Sequence, residues 1–206
     1  MNKTTKKLKL PKKEVSNYES LLAKKETVLT IYEGKNSLST LNEDTKIVIV
    51  GSFIPQRLIY FYNDNSYMYE AIDASRKTNL RQYKKNYPAN FNANEKQKII
   101  NGIQSILLEQ KIAFADLSKY ALVETGKCSD DDIKAFVVDY DMLNKIKSIN
   151  NIVVVSVTED VEAILLKNGI DNYYVKLFPG QSTRYPKGTD YHALWRDVFD
   201  FKIKRV

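Results

Sequence analysis

The sequence predicts an α/β fold in three layers, with helices on both faces of a central, mostly parallel sheet of about four strands. Continuous β-branched runs occupy residues 46–53, 151–157 and 173–178, and amphipathic segments alternate with them. Runs without polar alternation are typical of strands that are covered on both faces, as in a parallel sheet. A chain of 206 residues is long enough to bury the core of one such domain.

Helices are predicted where apolar residues recur at helical spacing. Residues 14–33 have this pattern, and Gly34 is the expected stop at its C-terminal end. Gly169 is the expected left-handed residue after another such helix. Residues 76–94 are polar and basic, which indicates a long loop or a short helix. The remaining predicted elements are helices over residues 67–75, 95–110, 158–168 and 189–203, and a short strand over residues 112–117.

Residues 129–149 are predicted to form two short helices. Ser129 is a good N-terminal cap, and three acids follow it at the positive end of the helix dipole: Asp130, Asp131 and Asp132. The same acids resemble a metal site, but the dipole explains them without a metal. We therefore predict no metal site.

Cysteine and histidine are almost absent, which limits the chemistry. The single cysteine, Cys128, excludes an internal disulfide framework and multi-cysteine zinc or iron–sulfur sites. The single histidine, His192, lies in a predicted helix, so a Ser-His-Asp triad would depend on it alone. No apolar run approaches the length of a membrane span, and the first residues lack the apolar core of a secretory signal. We expect a cytoplasmic location and no membrane partner.

The positive charge is concentrated at the start of the chain. The formal net charge is +7, and residues 1–13 hold six of the 32 basic residues and no acid, which leaves 26 basic against 25 acidic residues elsewhere. We divide the chain into a basic flexible arm (1–13), an N-terminal helix and linker (14–41) and an α/β domain (42–206). A basic arm commonly binds phosphate backbones without reading sequence; the alternative is a solubilising tail.

In open α/β sheets, ligands bind outside the carboxyl ends of the parallel strands. The corresponding loops start at Gly51, Asp116, Ser156 and Phe178, so we expect the functional site there. Gly51 allows a close backbone approach or marks only a turn. Asp116 ends a short apolar strand and either faces the site or caps a neighbouring loop.

The loop after the first strand carries aromatic and polar residues. Four side chains can stack on a flat ring or belong to the core: Phe53, Tyr60, Phe61 and Tyr62. Three polar residues stand at the start of the next helix, where they can hold a water molecule or an anion, or simply cap the helix: Asp64, Asn65 and Ser66.

The loop after the last strand is rigid and rich in hydrogen-bond donors. It holds two prolines and two glycines, which favour tight turns. The side chains that can hold a phosphate are Gln181, Ser182, Thr183, Arg184 and Lys187. The alternative is an ordinary connection. The sequence contains neither a G-x-G-x-x-G fingerprint nor a P-loop, so it lacks the usual motifs of enzymes that use nucleotide cofactors.

Four segments of the chain carry a joint pattern: KIVIVGSFIPQ, YFYNDNSYMYEAI, KIAFADLSKYALVETGKCSDDDI and LFPGQSTRYPKGTDYHALWRDVF. Together they resemble the uracil-DNA glycosylase superfamily, and within it the hypoxanthine/mismatch-type branch. The matching residues are Gly51–Pro55, Tyr60–Tyr69, Ile112–Asp116 with Ser129–Ile133, and Phe178–Thr183 with Trp195. The resemblance covers roughly residues 42–203 and implies the three-layer fold.

The resemblance implies hydrolysis of the N-glycosidic bond of a deaminated base, uracil or hypoxanthine, in DNA, with no metal or organic cofactor. The target base must leave the stack before it reacts. Phe53 would stack on this base, and backbone amides around Gly51 and Ser52 would bind its carbonyl edge. The implied base pocket consists of Gly51, Ser52, Phe53, Pro55, Tyr62 and Asp116.

The implied catalytic residues stand at the start of the helix after this loop. Asn65 or Asp64 would orient a water molecule toward C1′ of the sugar. The helix start is one residue shorter than the spacing of the family, so Ser66 is the alternative occupant of the asparagine position. The implied contacts with DNA phosphates come from Pro179, Gly180, Gln181, Ser182, Thr183, Arg184 and Lys187. Damaged or mismatched DNA is therefore the expected partner, and no protein partner is predicted.

Two other functional classes stay open. One is a catalytically inactive protein that uses the same pocket to bind nucleic acid, a base or a nucleotide. The other is a small-molecule α/β hydrolase or transferase, which the nearly neutral charge of residues 14–206 favours.

Overall fold

The computed structural model describes residues 14–27, 29–34, 40–52, 66–83, 92–125, 132–175 and 190–200. In chain order the elements are β1 (Glu14–Val15), α1 (Tyr18–Leu22), β2 (Leu29–Glu33), β3 (Ile47–Gly51), α2 (Ser66–Arg76), a 3-10 helix (Leu80–Tyr83), α3 (Ala93–Glu109), β4 (Ile112–Asp116), β5 (Ser118–Glu124), β6 (Ile133–Val138), α4 (Tyr140–Ser148), β7 (Val153–Ser156), α5 (Glu159–Lys167), β8 (Tyr173–Tyr174) and α6 (Tyr191–Phe199). They form two sheets. Within these ranges, no helix is both long and apolar enough to cross a membrane.

The first sheet is parallel and has the strand order β4–β3–β7–β8. Its central strand β3 is apolar on both faces because both faces are covered. Ile47 and Ile49 pack toward α2, α3 and α6, whereas Val48 and Val50 share a core with α4, α5 and the second-sheet strands β5 and β6. All four side chains are fully buried. This confirms an α/β fold with a parallel sheet that has helices on both faces, but the second sheet shares the core on the face of Val48 and Val50, so the arrangement differs from three simple layers.

The strand order creates a switch point beside β3. The chain passes from β3 to β4 on one side, and it later places β7 on the other side of β3. In doubly wound sheets of this kind, the crevice outside the carboxyl ends at the switch point is where ligands bind. The relevant crevice here lies between the ends of β3 and β7.

The second sheet is mixed, has the order β1–β6–β5–β2, and was not predicted. The expected helix over residues 14–33 is wrong, because these residues form β1, the short helix α1 and β2. Asn17 begins α1 by accepting a hydrogen bond from the Ser20 amide. In β2, Leu29 and Ile31 alternate toward a small core around Leu122 of β5. Pairing with a distant strand therefore overrides a helical pattern that is only local.

Gly34 does not end a helix. It follows β2, and its amide donates to the Lys119 carbonyl at 2.7 Å. A Cβ atom at this position would overlap the Ser118 carbonyl oxygen. Glycine is needed because the backbone of β5 passes so close.

The two helices predicted over residues 129–149 are also wrong in part. Ile133–Val138 form β6, which pairs with β5 on one side and with β1 on the other. The helix α4 begins only after Asp139, whose side chain accepts from the Met142 amide at 3.1 Å. Asp132 directly precedes a strand, so it does not start a helix. Ser129, Asp130 and Asp131 lie outside the described residues.

The other predicted elements are confirmed within the described ranges. The helices α2, α3, α5 and α6 and the strands β4 and β7 lie where the patterns placed them, and Gly169 has a φ of 70° after α5. The strand predicted over residues 173–178 appears as β8, and its residues after 175 lie outside the described ranges.

A buried carboxylate orders the polar segment after α2. Asp73 is 7% exposed and accepts hydrogen bonds from Thr78, from the Leu80 amide and from both the amide and the side chain of Arg81. These bonds hold the 3-10 helix, so of the two alternatives predicted for residues 76–94, a long loop or a short helix, the described part contains a short helix. The 3-10 helix ends at Tyr83, whose ring lies against α3 at Gly102.

We predict that Gly102→Ala destabilises the protein. Alanine favours a helix over glycine by about 1 kcal/mol, but the added Cβ would overlap the Tyr83 ring, and overpacking costs about 1–3 kcal/mol. We expect a net loss of about 1 kcal/mol in the free energy of unfolding, measured by urea denaturation with the fluorescence of the single tryptophan, Trp195. In a Tyr83→Ala background, the same substitution should stabilise. A stabilising effect in the wild-type background would contradict this packing.

Candidate functional site

The carboxyl ends of β3, β4 and β7 meet at one edge of the parallel sheet. The strand register places Gly51 opposite Asp116 and Val50 opposite Ser156. The expectation that the loops starting at Gly51, Asp116 and Ser156 share one edge is confirmed. We call this region the carboxyl edge.

Asp116 is a buried carboxyl group at the carboxyl edge. It is 1% exposed, and strand alternation places it on the same face as Ile112 and Phe114, toward α2 and α6. Its position beside Gly51 is held by the next backbone bond, in which the Leu117 amide donates to the Gly51 carbonyl at 2.7 Å. A carboxylate oxygen is a hydrogen-bond acceptor, so this face of the edge is chemically an acceptor.

Ser52 and Thr158 form a hydroxyl pair on the other face, across the switch point. Their oxygens are 3.4 Å apart. The Thr158 oxygen also accepts from the Val161 amide at 3.2 Å, which makes Thr158 the N-cap of α5. The Ser52 carbonyl accepts from the Ser118 amide at 3.2 Å. Thr158 is therefore anchored through its side-chain oxygen, and Ser52 is anchored through its backbone carbonyl.

Ser156 fixes the edge strand β8. Its side chain is fully buried, and its hydroxyl donates to the side-chain oxygen of Asn172. Its carbonyl accepts from the Val175 amide at 3.0 Å. These two bonds hold β8 beside the end of β7.

The described part of the carboxyl edge is not basic. The first turn of α5 carries three acids, Glu159, Asp160 and Glu162. Lys119, which follows the end of the β3–β4 pairing, donates to Asp141 at 3.0 Å. The hydrogen bond and the charge of Asp141 raise the pKa of Lys119 above its ordinary value, so its ammonium stays charged but is paired. A phosphate would meet little free positive charge here.

The structure brings together three of the predicted site residues: Gly51, Ser52 and Asp116. Ser66 is the first residue of α2, and His192 and Trp195 lie in α6. Trp195 is fully buried and stacks on Phe199 with ring centroids 5.6 Å apart. The other candidates lie outside the described residues: Phe53, Pro55, Tyr60, Phe61, Tyr62, Asp64, Asn65, Cys128, Phe178, Pro179, Gly180, Gln181, Ser182, Thr183, Arg184 and Lys187.

Sequence reasoning missed two polar residues of this edge, Thr158 and Asn172. Thr158 stands between an apolar strand and a run of acids, which is the usual pattern of an N-cap, but this pattern does not reveal contact with Ser52. No cluster of metal-ligating side chains occurs among the residues described here.

The chain is similar in fold to a protein of known structure. No protein-family model and no curated protein matches this chain. A solution NMR structure from Methanosarcina acetivorans, described as a "putative Uracil DNA glycosylase", is similar with a TM-score of 0.51 at 17% sequence identity. The match covers 84% of this chain and 98% of that protein. The two chains therefore share a fold across nearly the whole of the archaeal protein.

We predict that Ser156 and Asn172 stabilise the protein as one unit. Ser156→Ala and Asn172→Ala should each lower the free energy of unfolding by about 1–2 kcal/mol, because each leaves a polar partner poorly satisfied. The double variant should lose clearly less than the two single losses combined. Ser148→Ala, which removes an exposed serine bond to the Lys145 carbonyl, is the matched control and should change stability by less than about 0.5 kcal/mol. Full additivity in urea denaturation would contradict the coupling.

Proposed function

We propose that this protein hydrolyses the N-glycosidic bond of a deaminated base, uracil or hypoxanthine, in DNA. The observation that carries the proposal is the chemistry of the carboxyl edge, where a carboxylate acceptor, Asp116, and a hydroxyl that can donate, Ser52, lie beside the end of β3. The fold shared with the archaeal structure supports the same class of activity.

Deamination creates the group that such an edge would recognise. It replaces an exocyclic amine with a carbonyl and protonates the adjacent ring nitrogen, so uracil and hypoxanthine both present an N–H beside a C=O, a lactam. The Asp116 carboxylate would accept from the N–H, and the Ser52 hydroxyl would donate to the carbonyl oxygen. Cytosine and adenine present the opposite order, an amine donor beside an unprotonated nitrogen, so they offer neither a donor in the place of the lactam N–H nor an acceptor in the place of its carbonyl oxygen.

Thymine and guanine carry the same lactam, so the pair alone does not reject them. In this proposal the mispaired state of a deaminated base supplies the remaining selectivity, because a mispaired base is extruded at the lowest cost in free energy. The side chains proposed to close the pocket around it are Phe53, as the stacking platform, with Pro55 and Tyr62.

The proposed reaction needs no redox partner. Water attacks C1′ as an oxocarbenium-like centre forms, the base leaves as an anion with the electron pair of the broken bond, and the proton released by the water neutralises this anion. Asn65 or Asp64 orients the water, with Ser66 as the alternative. Backbone amides around Gly51 and Ser52 stabilise the negative charge that develops on the leaving base.

Contacts with the DNA backbone are assigned to other parts of the chain. The proposed phosphate clamp is the loop Pro179–Arg184 together with Lys187, and the basic arm 1–13 adds affinity that falls with salt. The position of Ser156 at the end of β7, where it holds β8, supports the loop after β8 as a neighbour of the site.

A second candidate function is favoured by the charges at the carboxyl edge. The acids in the first turn of α5 and the paired state of Lys119 would disfavour a phosphate beside Ser52. These charges fit a ligand without phosphate, namely a free base or nucleoside, held by an inactive relative of the glycosylases. Binding without cleavage would support this alternative.

We predict cleavage of duplex oligonucleotides that carry uracil or hypoxanthine, detected as alkali-labile abasic sites. Asp116→Ala should lower the single-turnover rate about ten- to hundredfold, because it removes a hydrogen bond to a charged group. Asp171→Ala, an exposed aspartate before β8, is the matched control and should retain the wild-type rate. Tryptophan fluorescence during unfolding verifies that Asp116→Ala is folded. Wild-type protein without cleavage of uracil, hypoxanthine or xanthine would contradict the proposed activity.

A second pair of variants identifies the residue that orients the water. Asn65→Ala should lower the cleavage rate about a hundredfold, because a reacting water displaced by about 1 Å can cost this much, and should leave DNA affinity nearly unchanged. Ser66→Ala should have little effect on either quantity. The reverse result would assign the role to Ser66.

A further inference from the structure

We infer that Thr158 is a positioning residue, which directs the Ser52 hydroxyl to donate a hydrogen bond to the carbonyl oxygen of the bound base. This inference rests on the proposed function. It adds a residue that no sequence motif indicated, and it specifies which atom of the ligand Ser52 contacts.

The geometry allows either hydroxyl to donate across the 3.4 Å between the two oxygens. The Thr158 oxygen accepts from the Val161 amide, and a hydroxyl that accepts a hydrogen bond becomes a stronger donor, so we assign donation from Thr158 to a lone pair of Ser52. With that lone pair engaged, the hydrogen of Ser52 points away from Thr158. The series of hydrogen bonds from the Val161 amide through Thr158 to Ser52 thus ends with the Ser52 hydroxyl as a donor that points away from Thr158. Each bond in such a series strengthens the next one.

The rest of Ser52 is held by the strand. The Ser118 amide donates to its carbonyl at 3.2 Å, and the Leu117 amide donates to the preceding carbonyl of Gly51. The backbone is therefore fixed by the β3–β4 pairing, and the side-chain torsion and hydroxyl direction are what Thr158 controls. A fixed donor stabilises the developing negative charge more than a mobile donor does, because it does not have to reorient as the charge develops.

The surrounding charges select a carbonyl rather than a phosphate as the acceptor. The N-terminal end of α5 adds a partial positive potential at the hydroxyl pair. Glu159, Asp160 and Glu162 in the same turn oppose an acceptor that carries a full negative charge. A neutral carbonyl that gains partial negative charge as the bond breaks is compatible with both influences.

Four variants test the inference by calorimetric binding of free uracil and free hypoxanthine. Ser52→Ala removes the donor. Thr158→Asp keeps the N-cap of α5 but accepts from Ser52, which turns the Ser52 hydrogen inward. Thr158→Ser keeps the complete chain of donors. Asn17→Ala removes the cap of α1, in the other sheet, and controls for the loss of a helix cap.

Ser52→Ala and Thr158→Asp should each weaken binding of the better-bound base about tenfold, which corresponds to one neutral hydrogen bond. Thr158→Ser should restore most of the affinity, and Asn17→Ala should bind as the wild type does. In the Ser52→Ala background, Thr158→Asp should cause no further loss. A further loss there would mean that its charge acts directly on the ligand, and would overturn the inference.

Cleavage separates this inference from the proposed activity. If the wild type binds a free base, the variants lose that binding, and no oligonucleotide is cleaved, then the inference stands and the glycosylase activity fails. If the wild type cleaves DNA and Thr158→Asp cleaves equally fast, then the activity stands and the inference fails. If Ser52→Ala weakens DNA binding but leaves the binding of free bases unchanged, Ser52 contacts a phosphate and the inference is overturned. A wild type that binds neither free base would also overturn it.

Discussion

The parallel pairing of β3 with a neighbour on each side is the constraint on which the rest of the structure depends. Its side chains from Ile47 to Val50 are fully buried, so both faces of the strand are apolar and the alternation of side chains alone does not select the register. Backbone bonds at both ends of β3 therefore have to fix the register. The Lys111 carbonyl accepts from the Ile47 amide before the pairing with β4, and the Gly51 carbonyl accepts from Leu117 after it.

The same register makes the two sides of the carboxyl edge chemically different. Gly51 and Asp116 stand side by side and face the layer of α2 and α6, whereas Ser52 reaches Thr158 at the start of α5. The end of the β3–β4 pair therefore carries an acceptor, Asp116, on the face of α2 and α6, and a hydroxyl, Ser52, on the face of α5. This arrangement gives the edge its proposed preference for a lactam.

The sequence allowed the parallel sheet to be predicted because buried parallel strands have a local signal, a continuous β-branched run. The mixed sheet has no such signal. Leu29 pairs with Glu124 far along the chain, and the apolar spacing of residues 14–33 fits a helix as well as it fits two short strands. The strand β5 was missed because it follows β4 after a single residue, Leu117, and reads as its continuation.

The candidate site was predictable only in outline. Gly51 and Asp116 were identified because each ends an apolar strand, and strand ends meet at one edge of a parallel sheet, whereas Ser52 was identified through the family resemblance. The contact between Ser52 and Thr158 joins residues that are 106 positions apart, and it depends on β7 being placed beside β3. No property of Thr158 itself, beyond its suitability as a helix cap, indicates that neighbour.

The most direct measurement is a structure of the protein with duplex DNA that contains a hypoxanthine nucleotide whose 2′-fluorine prevents cleavage. The account predicts an extruded base with its N1 within ~3 Å of an Asp116 carboxylate oxygen and its O6 within ~3 Å of the Ser52 hydroxyl, the ordinary lengths of such hydrogen bonds. A base bound away from the ends of β3 and β7, or one whose O6 points toward Asp116, would contradict it.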